Sequence, residues 1–181
     1  MTPRLSKSRI LSHLRCPKRL YLETYHRELA EVSDATKLAF QAGHAVGEIA
    51  RSLHHGGILI EHDQELAEAL RATQDALKER PDRPLFEATF SHDGVLVRAD
   101  ILKPAKSGHH LVEVKSSASV KDYHLADCAV QTWVIENTDL KLDRISLSHV
   151  DTAFVYPGDK RYEGLLREED VTGQERDILE Q

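Results

Sequence analysis

Residues 85–117 constrain the fold more than any other segment. LFEATF (85–90) reads as a strand, and Ser91-His92-Asp93-Gly94 supplies a hairpin turn with Gly94 available for positive φ. VLVRADIL (95–102) follows, apolar on much of both faces, and HLVEVKSS (110–117) is a third strand beyond the loop 103–110. Two such strands cannot stand alone in water, so other elements must cover both faces. Charged residues inside them, Asp100, Glu113 and Lys115, are costly unless something compensates them.

The flanking segments supply the cover. Ser6 or Ser8 caps a short helix carrying Ile10, Leu11 and Leu14, and Pro17 opens a second with Leu20, Tyr21 and Leu22. Residues 34–55 place Leu38, Ala42, Ala45, Val46, Ile49, Ala50 and Leu53 on one helical stripe that ends at Gly56-Gly57. Leu66, Leu70, Thr73 and Leu77 mark a helix over 64–79, which Pro81 and Pro84 terminate. Ser119 and Asp122 have capping-box spacing for a helix to about Asn137. ISLSHVDTAFVY (145–156) reads as a fourth strand, and an acidic tail runs from Pro157. The expectation is one α/β (mixed α+β) domain over 1–181. It has a helical part (1–80), a core (84–156) with a mixed sheet of about four strands flanked by helices, and the tail (157–181).

Charge refines this. The net −6 hides a gradient: Arg4, Lys7, Arg9, Arg15, Lys18, Arg19 and Arg27 against Glu23 give residues 1–27 a net +6, which leaves −12 for the rest. A basic face of this kind suits phosphate or merely keeps a helix solvated. No apolar run spans a membrane and the charged N-terminus is unlike a signal peptide, so the expected location is the cytoplasm. Two cysteines, Cys16 and Cys128, cannot build a disulfide framework or a four-thiolate cluster.

Alternation puts Glu113 and Lys115 on one face, and antiparallel pairing brings residue 100 level with residue 113. Two carboxylates with free positions for water suit Mg²⁺ or Mn²⁺, and a neighbouring lysine can orient a water or balance phosphate charge. The bland alternative is a structural salt bridge of Lys115 with Glu113 or Asp100, or of Arg98 with Asp100.

These strings, in this order, resemble the PD-(D/E)xK nucleases, and within them the RecB-like branch that includes CRISPR-associated exonucleases. LSKSRILSHLRCPKRLYL (5–22) is similar to that branch's N-terminal segment, and GHAVGE (43–48) to its first-motif helix. FEATF supplies Glu87, RAD supplies Asp100, EVK supplies Glu113 and Lys115, and QTWV supplies Gln131. The likeness is nearest to an uncharacterised bacterial family carrying this domain at its N-terminus. It implies a restriction-endonuclease-like core and a Mg²⁺- or Mn²⁺-dependent deoxyribonuclease acting on DNA ends or single strands, of the DNA-repair kind. Asp100, Glu113 and the Val114 carbonyl would hold metal, Lys115 would be the catalytic lysine, and Gln131 would position it or the DNA. Glu87 is a secondary acidic candidate. Arg9, Arg15, Lys18, Arg19 and Tyr21 would contact nucleic acid.

Two departures stand out. The branch's metal-binding His position is Gly47 here, so His44, one turn earlier, or Glu48 would have to replace it. Cys16 matches the first ligand of an iron–sulfur version whose other ligands this chain lacks, so no cluster is expected without a further C-terminal region or a protein partner. The alternative function is therefore a catalytically weak or inactive nuclease-fold module that binds DNA or serves assembly.

Overall fold

The computed structural model describes residues 5–61, 65–175 and 178. Arg4 of the basic segment and part of the tail lie outside them. Seven strands form one sheet: β1 (Leu5–Ser6), β2 (Ile58–Leu59), β3 (Leu85–His92), β4 (Val95–Pro104), β5 (His109–Lys115), β6 (Leu142–Val150) and β7 (Leu166–Asp170). Their order is β2-β3-β4-β5-β6-β7, with β1 added alongside β4. Among the described residues five α-helices surround it: α1 (Lys7–Arg15), α2 (Pro17–Tyr25), α3 (Asp34–Ser52), α4 (Leu66–Glu79) and α5 (Asp122–Glu136).

The sheet is larger than the expected four strands. β1 and β2 have two residues each, too short for any periodicity to register. β7 lies inside the segment read as an acidic tail. Its charged residues pair across β6, Arg144 with Asp170 at 2.9 Å, and Val171 beyond it is buried. The four expected strands all form, with β6 ending at Val150 rather than 156. The sheet is mixed: β3–β4, β4–β5 and β6–β7 are antiparallel, whereas β5–β6 is parallel and bridged by α5.

The β3–β4 turn forms as its sequence demands, with Asp93 at φ +44° and Gly94 at φ +76°, two left-handed residues in succession. Ser33 caps α3 by accepting from Thr36 N–H at 3.2 Å. The capping of α5 differs from expectation. It starts at Asp122, and His124 Nδ1 accepts from Lys121 N–H at 3.2 Å where the Ser119 box was expected.

The main core lies between the sheet and α4 and α5, built on Leu85, Val97, Leu102, Leu111, Val134, Ile145 and Leu147. A smaller cluster on the opposite face joins Ala50 of α3 to Phe86, Ile101 and Val112. The α3 stripe is only partly used. Its N-terminal half projects into solvent, with Leu38 65% and Phe40 62% exposed, and Ala50 alone is fully buried.

Two irregularities open the sheet. The β3–β4 ladder pairs every residue from Leu85 to His92 except Glu87 with Asp100. Glu87 is left-handed, φ +57°, a strained conformation for a side chain of this size. Leu85 and Ala88 consequently share one core cluster while Phe86 joins the other, and Ala99, Leu102 and Ile101 repeat this across β4. Both strands slip phase together, so register survives the kink. The other edge of β4 is shared. β1 pairs with Val95 and Leu96, and β5 with Ile101 to Pro104. Between those stretches Asp100 sits where the sheet divides.

Candidate functional site

The register Ile101↔Val112 brings position 100 level with 113. Instead of a further ladder bond, the Val114 N–H donates to Asp100 Oδ2 at 2.8 Å. Glu113 and Lys115 share the face under α5, as alternation requires. Glu113 is 2% exposed. Lys115 Nζ donates to its Oε1, and Gln131 Nε2 to its Oε2 at 2.7 Å. Lys7 Nζ lies 3.2 Å from Oε1 and 3.4 Å from Oε2.

Asp127 completes the cluster. Lys115 Nζ also donates to its Oδ2, Lys7 Nζ reaches its Oδ1 at 2.8 Å, and Gln131 Nε2 reaches the same oxygen at 3.2 Å. Gln131 is fully buried. Both acids fix its amide orientation, and its Oε1 has no hydrogen-bond partner.

Sequence reasoning missed two of these residues. Asp127 precedes Gln131 by four, so a helical face shared with Gln131 was the available signal. Lys7 had none, because nothing local indicates that one residue of a basic run turns inward. The bland expectation holds in part: Lys115 does pair with Glu113, though its second partner is Asp127.

Three carboxyl groups face two ammonium groups. Burial and the Glu113 charge push Asp100 up to about 8. Asp127 is raised for the same two reasons. Glu113 would be raised by burial, but Lys7 and Lys115 outweigh that and hold it well below the usual carboxylate range. Burial would lower both lysines, but the surrounding carboxylates hold them well above their ordinary value. Both remain ammonium ions at neutral pH.

The opposite side of the divided sheet is a cleft of about 370 Å³ lined by His44, Gly47, Arg51, Glu87, Asp100 and Val114, among others. His44 thus reaches the same cleft as Asp100, whereas Glu48 is exposed and does not line it. Glu87 is held there by Arg51 at 3.4 Å.

The donor chemistry fits a hard divalent cation. Asp100, Glu113 and Asp127 offer carboxyl oxygens, the hard donors that such an ion takes. Lysines engage Glu113 and Asp127, so these oxygens are not preassembled for a cation. Among the described residues no group of three or more His, Cys, Asp or Glu is arranged to hold a metal.

The other candidates are dispersed. Arg15 lies over the Tyr123 ring at 4.7 Å from its centroid, and Arg19 pairs with Glu23 at 2.6 Å. Lys18 is exposed, and Tyr21 packs at a tilt against Tyr25 and His26. Arg9 lines a separate surface cleft with Ser6, Ser8 and Arg27. Cys16 is exposed and Cys128 buried, with burial pushing the Cys128 thiol up. The His109-His110 pair, read as loop, lies on β5 with His110 buried against Ser146 Oγ at 2.8 Å. No described helix is long and apolar enough to cross a membrane.

No family model and no curated protein matches the sequence. Among solved structures, the crystal structure of SSO0001 is similar with a TM-score of 0.50 at 15% identity, over 97% of this chain and 71% of that one. A likeness at that identity speaks for the fold.

Proposed function

We propose that this chain is a metal-dependent deoxyribonuclease acting on DNA ends or single strands. The observation that carries the reading is the convergence of Asp100, Glu113, Lys115 and Gln131, the residues that the family resemblance singles out, with Asp127 at the division between β4 and β5. Asp100, Glu113 and the Val114 carbonyl would hold Mg²⁺ or Mn²⁺. When bound, the ion stabilises charge on the scissile phosphate and lowers the pKa of a water.

The chain's residues divide the remaining work. Lys115 stays protonated beside Glu113 and Asp127, so it offers a proton-bearing ammonium to phosphate or water and does not act as a base. Gln131 locks the Glu113 and Asp127 carboxylates in orientation. Arg15 and Lys121, both over the exposed ring of Tyr123, form a cationic aromatic patch one helical turn from Asp127 that suits phosphate and an unpaired base.

The engaged carboxylates and Gly47 at the expected His position favour a second reading, a DNA-binding or assembly module with little turnover. Incubation with single- and double-stranded DNA in Mg²⁺, Mn²⁺ or EDTA separates the two. The nuclease cleaves only with metal, and Asp100→Ala or Lys115→Ala abolishes cleavage while the fold persists. Salt-sensitive binding without turnover in the unmodified chain establishes the second reading.

A further inference from the structure

Lys7 stands apart from the other donors to the carboxylate cluster. Lys115 is two residues from Glu113 on one strand, and Gln131 is fully buried on α5. Lys7 comes from 106 residues away, on the first turn of α1, and its side chain keeps 20% exposure. Its element is short, with Ile10 and Ser12 packed inward further along it. The preceding strand has two residues, paired with Val95 and Leu96, and α1 ends nine residues on at the Cys16-Pro17 break.

Lys7 also occupies the oxygens that a cation needs. Both oxygens of Glu113 and Oδ1 of Asp127 lie within 3.4 Å of its Nζ. The two acids have four carboxylate oxygens, and each already faces at least one N–H donor. A divalent ion cannot join Glu113 while all of these contacts persist, because ligand distances below about 2.6 Å leave no room for an intervening ammonium.

Charge favours exchange over addition. Adding a divalent ion beside Lys7 and Lys115 raises the charge of the cluster by two, whereas exchanging one lysine for the ion raises it by one, the smaller burden in a buried site. The longer contacts and partial exposure of Lys7 make it the lysine that leaves.

We propose that Lys7 is a further residue of this site, an internal counter-ion that holds the Glu113 and Asp127 carboxylates in the metal-free protein and that a divalent cation displaces. α1 is thereby coupled to metal occupancy. While Lys7 is engaged the acids are held in position, and metal binding releases the first turn of α1 from the sheet. This inference rests on the metal-site reading above, deepening it from ligand identity to the control of ligand availability.

Calorimetric titration of the full chain with Mn²⁺, in the unmodified protein, Lys7→Met and Lys7→Arg, tests it. Lys7→Met removes the competitor and binds Mn²⁺ roughly 5- to 150-fold more tightly, the range of ordinary site-to-site coupling. Lys7→Arg keeps a competing cation and binds as the unmodified chain does. Equal affinity in all three overturns the displacement and leaves the metal site standing; no Mn²⁺ binding in any of them overturns both. Hydrogen exchange on the unmodified protein decides the matter even if Lys7→Met fails to fold. Saturating Mn²⁺ accelerates exchange in the first turns of α1, and unchanged exchange there at saturation refutes the release.

Discussion

Replacing Glu113 by Gln keeps the shape of the side chain and deletes the charge at the centre of the cluster. The carboxylate faces the Lys7 ammonium at 3.2 Å, with Lys115 closer still. At an effective dielectric near 20, one such pair at 3.2 Å is worth about 5 kcal/mol. Two attractions are therefore lost, while repulsion from Asp100 and Asp127 is relieved. The net cost falls in the range of a broken buried pair, about 3–5 kcal/mol. For a chain of this length that corresponds to a fall in Tm of roughly 6–20 °C. Urea unfolding at pH 7 in EDTA, followed by circular dichroism, measures it. The double variant Glu113→Gln/Lys7→Met restores the charge count and recovers part of the loss, with an interaction of about 0.5–3 kcal/mol. A loss below about 1 kcal/mol for Glu113→Gln, or strictly additive variants, would show that the cluster is solvated and not a coupled buried network.

Other outcomes follow from separate parts of the molecule. Burial, with Lys103 for His110 and with Lys115 for His124, lowers both imidazoles to about 4 from 6.5. The unfolded chain therefore takes up these protons first as pH falls. The histidines' contribution is complete above pH 6.5 and is lost towards pH 4, up to about 3 kcal/mol each. Asp100 acts in the opposite sense, gaining stability as pH falls from about 8 towards its unfolded value of 3.8. The histidine part is thus read as the pH-dependent difference in unfolding free energy between the unmodified chain and His110→Gln or His124→Gln, and a pH-independent difference refutes it. Glu87→Gly and Glu87→Ala both delete the side chain, but only glycine accepts φ +57° without strain. Glu87→Gly should exceed Glu87→Ala in stability by about 1 kcal/mol in the same unfolding assay. Gly57→Ala places a Cβ 2.2 Å from the Phe86 ring and should cost about 1–3 kcal/mol, with equal stability counting against that packing.

The sequence made those parts legible that depend on local period. The hairpin at Asp93-Gly94, the three central strands, the α5 helix and the shared face of Glu113 and Lys115 all follow from spacing and turn chemistry. The α3 stripe was legible as helix but not as packing: Leu38 and Phe40 stay in solvent because the chain turns that half away from the sheet. The short strands β1 and β2 exist through their partners and carry no signal of their own. The phase slip at Glu87 and Asp100 was invisible for a related reason, since each strand alone still alternates on either side of it. In the site, Asp100, Glu113, Lys115 and Gln131 were named from motif order, while Lys7 required knowledge of which residue of a basic run the fold would turn inward.

The pairing of residue 7 with residues 113 and 127 also bears on how the chain folds. Ribosomes deliver the N-terminus first, yet β1 must wait for Val95 and Lys7 for Glu113 and Asp127. Contacts of such sequence separation are slow to form, because a long loop must close before any of them is made. The local hairpin β3–β4 has no such delay. The carboxylate cluster is therefore among the last features to assemble, and its completion reports that the chain from α1 to α5 is in place.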